Sequence, residues 1–295
     1  METCSVDYHH NCLVMTSGDF RIAVTTAVGP RIIGGWIGDS DNIFKVLPDE
    51  PMAHIGNGFK LYGGHRLWHA PEAAPRSYAP DNAPVIVTEV ENGYEFANEP
   101  EPSTGIQKSI AIEAIDNGFR LTHRLSNTGP WTVTLAPWAL SVMAPGGMAI
   151  IPQLRDLSAN PYAADRQIVY WPYSSPADPR IIYGDKYICL RQDTSATTPC
   201  KLGFNADEGW IGYVNHGTAL IKYFEPIDDA EYPDGGCSVE TYSCDRFCEI
   251  ETLAPLFELD PEEECEHVEF WQGIAGLPEI KTVDDIEAFI EPQLI

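Results

Sequence analysis

Residues 109–125 read Ser109-Ile110-Ala111-Ile112-Glu113-Ala114-Ile115-Asp116-Asn117-Gly118-Phe119-Arg120-Leu121-Thr122-His123-Arg124-Leu125. Apolar side chains recur at every second position on both sides of Asp-Asn-Gly. That is the period of a half-buried strand around the composition of a hairpin turn. The same arrangement stands just upstream, where runs at 85–90 and 94–96 flank Glu91-Asn92-Gly93. Further out, an alternating run begins at Phe20, breaks at Gly29-Pro30 and resumes at Arg31. Others occupy 131–135, 149–151, 181–183, 210–214, 219–224 and 237–242. Short strands punctuated by 24 Gly and 24 Pro predict antiparallel sheets. One helix is expected, over 283–290. Thr282 and Asp285 form a capping box, Ile286, Phe289 and Ile290 share a face, and Pro292 stops it. No repeat, low-complexity linker or composition break divides the chain, so residues 1–295 are read as one all-β antiparallel sandwich.

Charge narrows the function. Eighteen Lys and Arg stand against 44 Asp and Glu, a formal net charge of −26. Such a field repels a polyanion, which argues against nucleic-acid binding. From Glu225 onward there are 21 acidic residues and only Arg246 and Lys281 as bases, a pattern read as a solvated acidic surface. No apolar run approaches the roughly 20 residues that span a bilayer, so no membrane partner is expected. The first eleven residues lack the basic and apolar parts of a secretory signal. The eight cysteines contain no C-x-x-C pair. Reduced, mostly buried thiols in a cytoplasmic protein are the expectation.

Two segments concentrate chemistry. Residues 56–72 gather Lys60, His65, Arg66, Trp68, His69 and Glu72 in what reads as a glycine-loosened loop. Arg66 offers a planar donor fork and Trp68 a flat apolar face, which suits a sugar with directional hydroxyls and an apolar ring face. His65, His69 and Glu72 can also be read as H-x3-H-x2-E metal ligands, but Gly63-Gly64 and Pro71 argue against the helix this spacing needs. Neither a structural metal nor a cofactor is expected. The second segment, 232–242, places Glu240 mid-strand with Tyr242 beyond it. Glu249 and Glu251, alternating with Cys248 and Ile250, read as a solvated strand face.

Together these segments resemble the galactose mutarotase-like superfamily, in a divergent branch. The opening Phe20–Trp36 with Asp41-Asn42-Ile43-Phe44 resembles its first hairpin. Gly63-Gly64-His65-Arg66-Leu67-Trp68 looks like the sugar-contacting segment of aldose 1-epimerases, and Cys237-Ser238-Val239-Glu240 like the strand carrying their catalytic glutamate. The resemblance implies a β-supersandwich whose concave face binds a carbohydrate. It also implies a base, Glu240, that takes the anomeric hydroxyl proton while an acid protonates the ring oxygen. Arg66 would contact a hydroxyl or the ring oxygen, with Trp68, Lys60, Glu72 and Tyr242 as further substrate contacts. The family's acid histidine is expected within 127–143, where this chain has none. His65 or His69 then takes the acid role, or the site only binds. A third alternative is glycoside hydrolysis or lyase chemistry with Glu240 and Glu72 as the carboxylate pair.

Overall fold

The computed structural model describes residues 2–153, 162 and 164–295. Strand follows strand in two antiparallel sheets. The first has eleven strands, running from Thr3–Val6 through His9–Ser17, Phe20–Thr25, Arg31–Ile37 and Gly64–Ala70 to the long Val133–Met143 strand. It continues through Cys248–Leu253, Val239–Ser243 and Cys200–Phe204 to Ile168–Tyr170, and Phe257–Leu259 pairs with the start of Val133–Met143. The second has ten strands and contains both hairpins that began the sequence reading. Side chains of period two from both inner faces meet between the sheets, where Ile22, Ile32, Leu67, Phe119, Leu121, Ile151, Leu202, Ile250 and Trp271 pack into the main core.

The two hairpins form where the Asn-Gly signals stand, but their glycines have another reason to be there. Val90 pairs with Gly93 and Ile115 with Gly118, so each loop is the two residues before the glycine. Asn92 and Asn117 take positive φ, 58° and 60°. Gly93 and Gly118 already belong to strands, and a Cβ on either would lie 1.8 Å from the Ile112 carbonyl oxygen or 2.0 Å from that of Trp271. The neighbouring strand's approach demands glycine there.

The expected helix spans Val283–Phe289 with the capping box formed. Thr282 Oγ1 accepts from the Asp285 amide, and the Asp285 carboxylate accepts from the Thr282 amide. Ile286 and Ile290 bury against Tyr187, Trp210, Ile221 and Ile274 on the outer face of the ten-stranded sheet. All eight cysteines are free thiols, seven of them buried. No helix among the described residues is long and apolar enough to cross a membrane.

Two expectations need correction. Residues 64–70 are a strand of the large sheet rather than part of a loop, buried at every position. Glu249 and Glu251 do not face solvent. Their residues are 8% and 0% exposed.

Candidate functional site

The outward face of the large sheet carries a cleft, and strand alternation decides which residues reach it. Along Gly64–Ala70 the even positions, Arg66 and Trp68, point one way and the odd positions, His65, Leu67 and His69, the other. Cross-strand register then extends the even face. Trp68 pairs with Trp138 and Arg66 with Leu140. Leu140 pairs with Glu251 and Val142 with Glu249. Glu251 is opposite Glu240 and Glu249 opposite Tyr242, and Tyr242 is opposite Lys201. Residues from five strands and nearly 200 positions of sequence thus share one surface.

A cavity of about 360 Å³ lies over this surface, lined by Arg66, Trp68, Trp138, Lys201, Tyr242, Glu249 and Glu251. Glu72, Tyr78, Trp171, Tyr173 and Arg246 complete its rim and walls. Trp68, Trp138, Phe59 and Tyr78 pack with ring centroids 5.1–5.7 Å apart, so the aromatic wall is braced from behind. Each such pair contributes about 0.5–1.5 kcal/mol beyond the area it buries. The Arg66 guanidinium lies 4.3 Å over the Trp68 ring and donates through Nη2 to Glu249 Oε1 at 3.1 Å. Its Nε and Nη1 are buried and hydrogen-bond to no described residue.

Lys201 organises the opposite side. Its ammonium is 2.6 Å from Glu240 Oε2, 3.4 Å from Glu251 Oε2 and 4.6 Å from the centres of both the Trp138 and Trp171 rings. Burial alone would lower the lysine, but the two glutamates outweigh it and hold the ammonium well above its ordinary range. Gly203, paired with Glu240, leaves the room that the Cys237 thiol and the Trp171 ring occupy. Glu240 is consequently fully buried and does not line the cavity. Burial raises its carboxyl well above the usual range, with Glu251 and Asp234 adding to this and Lys201 opposing it. Glu251 accepts from Trp138 Nε1 at 2.8 Å, and its Oε1 accepts no hydrogen bond from a described residue. Burial, opposed by Arg66 and reinforced by Glu251, brings the Glu249 carboxyl to about 7.

Of the residues singled out in the sequence, the structure brings Arg66, Trp68, Glu72 and Tyr242 together around the cavity, with Glu240 beneath it. Lys60 is apart from these, paired at 2.6 Å with Asp49. His65 and His69 are on the other face of their strand. His65 is buried between the sheets with Nδ1 2.9 Å from Ser141 Oγ and Nε2 2.7 Å from His123 Nε2. His123 Nδ1 faces the His267 carbonyl at 3.0 Å, so it donates there. His123 Nε2 therefore accepts from His65, whose Nδ1 accepts from Ser141. Burial lowers both histidines, which agrees with two neutral rings. His123 alternates in step with Phe119 and Leu125 and is buried with them.

The H-x3-H-x2-E reading does not survive, because Glu72 lines the cleft while both histidines face away from it. A different trio, His65, His123 and Glu269, has ligand atoms within 4.8 Å of one another. Its polar atoms already have partners. Trp271 Nε1 donates to Glu269 Oε2 at 2.7 Å, and the Lys222 ammonium sits 2.8 Å from Oε1.

The sequence reading missed Trp138, Trp171, Tyr173, Lys201, Arg246, Glu249 and Glu251. For Glu249 and Glu251 a signal existed in the adjacent strand, where Glu240 and Tyr242 alternate in step with them. Nothing local marks Lys201, which enters only through its pairing with Tyr242.

No family model matches the sequence, and no curated protein matches it. Solved structures do match its shape. A candidate aldose 1-epimerase from Escherichia coli K12 superposes with TM-score 0.54 at 12% identity, covering 90% of this chain and 99% of its own. A galactose mutarotase-like protein from Lactobacillus casei gives 0.54 at 9%, covering 89% and 100%. Another, from Clostridium acetobutylicum, gives 0.52 at 10%, covering 93% and 98%. The two antiparallel sheets, their inner core and the short terminal helix are thus the galactose mutarotase-like β-sandwich fold, reached by a sequence far diverged from these structures.

Proposed function

We propose that the cleft binds a carbohydrate and interconverts its anomers by acid–base ring opening, with Glu249 as the acid and Glu251 as the base. The observation that carries this is a pair of carboxyls two residues apart on one strand face, under an aromatic wall, with Glu249 near pH 7. Such neighbours have Cα atoms roughly 6.5–7 Å apart. An acid or base works best with a pKa near the operating pH. Glu251, through its unpartnered Oε1, takes the anomeric hydroxyl proton. The freed O–H electron pair forms the C1=O double bond as the C1–ring-oxygen bond breaks, that bond's pair moves to the ring oxygen, and Glu249 supplies the proton there. After rotation about C1–C2 the roles reverse and the ring closes as the other anomer. Arg66 Nε and Nη1, buried without partners, suit hydroxyl oxygens of the sugar, and Trp68 and Trp138 suit its apolar face. Glu240 acts from beneath by fixing Lys201.

NMR exchange spectroscopy with a panel of aldoses tests this. The rate over the spontaneous reaction should fall as pH rises through about 7, because Glu249 must carry its proton to act as the acid. Glu249→Gln should lower it by about 10²–10⁴ with affinity changed only a few-fold. A pH profile flat through 7 would sink the assignment of Glu249.

One observation favours a second reading, a carbohydrate-binding protein without turnover. No histidine is among the residues lining the cleft. That reading expects saturable sugar binding weakened by Trp68→Ala or Arg66→Ala and no acceleration with any aldose.

A further inference from the structure

A second cavity, of about 380 Å³, lies on the side of the Gly64–Ala70 strand to which His69 points. Pro75, Ile106, Val133 and Leu135 give it apolar walls, and His69 and Arg76 bring nitrogen to it. His69 is fully buried, and neither of its ring nitrogens is hydrogen-bonded by a described residue. Arg76 donates through Nη2 to the Pro71 carbonyl, but its Nε is buried and hydrogen-bonds to no described residue. An unpaired buried polar group is costly, and native proteins carry few of them. Two such nitrogens, His69 Nδ1 and Arg76 Nε, belong to side chains that line one apolar cavity, which makes it a site of the kind that takes a ligand.

Charge selects the ligand. Behind His69 lies a buried Glu101–Lys108 ion pair, with Glu101 Oε2 3.6 Å from His69 Nε2. Glu101 is committed to this pair and to Thr104 Oγ1, 2.6 Å away. Around His69 there are thus two cations, Lys108 and Arg76, and one anion, Glu101, so one positive charge among these groups is unmatched. A neutral alcohol would not match it, and an ammonium would be repelled.

We propose that this cavity binds a small carboxylate with an apolar body. One carboxylate oxygen accepts from Arg76 Nε, the other lies on the His69 side of the cavity, and the body lies against Ile106, Val133 and Leu135. The site is independent of the carbohydrate reading. It stands back to back with the cleft, since Trp68 and His69 are adjacent residues on opposite faces of one strand.

Isothermal titration of the full chain with benzoate, benzyl alcohol and benzylammonium tests the proposal. Benzoate should bind saturably, benzyl alcohol at least about tenfold more weakly, and benzylammonium not at all, as expected when a charge-assisted hydrogen bond is lost. Arg76→Gln should weaken benzoate by about tenfold or more. Ser103→Trp changes an exposed residue of the cavity lining, so it should block benzoate while leaving thermal stability intact. No saturable benzoate binding would overturn the proposal. Benzyl alcohol binding as tightly as benzoate would overturn it too. So would benzoate binding indifferent to both substitutions, which would put the carboxylate elsewhere, for instance on Arg66 or Arg246 in the cleft.

Discussion

At Glu249 the proposed role as the acid and the stability of the fold pull against each other. Its carboxyl titrates near 7 instead of near 4.5, because it is buried and has Glu251 on the same strand face, despite the Arg66 guanidinium at 3.1 Å. Between pH 4.5 and 7 the folded chain keeps a proton that the unfolded chain has lost. Folding stability attributable to Glu249 therefore falls as pH rises through that window. Glutamine resembles the protonated form and does not titrate. Urea denaturation should show the stability of Glu249→Gln relative to the parent improving by on the order of 3 kcal/mol between pH 4.5 and 7.5. Comparing the change with pH, instead of one value, cancels any fixed packing cost of the amide. A stability difference that stays constant over that range would mean that Glu249 titrates as an ordinary carboxylate.

At the scale of the element, the Gly64–Ala70 strand does the most to build both cavities. It presents Arg66 and Trp68 to one and His69 to the other, so a slip of one residue would exchange the two sets. Gly63 and Gly64, read in the sequence as looseness, are what pins its start. Both have positive φ, 86° and 69°. A Cβ on Gly64 would lie 2.1 Å from the Ile32 carbonyl oxygen, and one on Gly63 would lie 1.9 Å from that of Lys45. Gly64→Ala should therefore cost about 3 kcal/mol or more, from a left-handed residue and a backbone overlap together. Chemical denaturation measures this directly, and a loss under about 1 kcal/mol would mean the entry to the strand can shift without consequence. Proline at 137, in the middle of the longest strand of this sheet, is accommodated by the same logic of position. It falls where the partner strand changes, between the Leu135–Phe257 and Trp138–Leu253 pairs, so its missing N–H interrupts no ladder.

For the whole molecule, the dominant long-range term is the net charge of −26. Repulsion among surface carboxylates opposes the compact state, and salt shortens its reach from about 30 Å at 0.01 M to about 3 Å at 1 M. Many of the ion pairs that salt could weaken are buried, among them Lys201–Glu240, Lys222–Glu269 and Lys108–Glu101, where screening is small. Scanning calorimetry should accordingly give a Tm that rises by several degrees between about 0.01 M and 1 M NaCl. A Tm that falls with salt would mean that exposed ion pairs such as Arg124–Glu266 outweigh the repulsion. The same experiment bears on the extent of the folding unit. One core joins both sheets, and one transition is expected for the chain.

What the sequence determined by itself is whatever depends on neighbours along the chain. Alternation at 109–125 and the Asn-Gly signals specify strands and hairpins, because a period of two and a residue tolerant of positive φ are local properties. Thr282 and Asp285 specify the helix start for the same reason. Arg66 and Trp68 were legible as cleft residues from side-chain type although their segment reads as a loop, and Tyr242 from the strand it shares with Glu240. Which carboxylates meet them was decided only in the tertiary structure. Glu249 and Glu251 have the alternation of a solvated face, and nothing in their own strand indicates that Trp138, Lys201 and Arg66 will cover it. Likewise His65 and His69 stand beside the right residues in sequence and on the wrong side of the sheet in space. A strand sends adjacent side chains to opposite faces, and which face becomes cleft depends on strands brought alongside from more than 100 residues away.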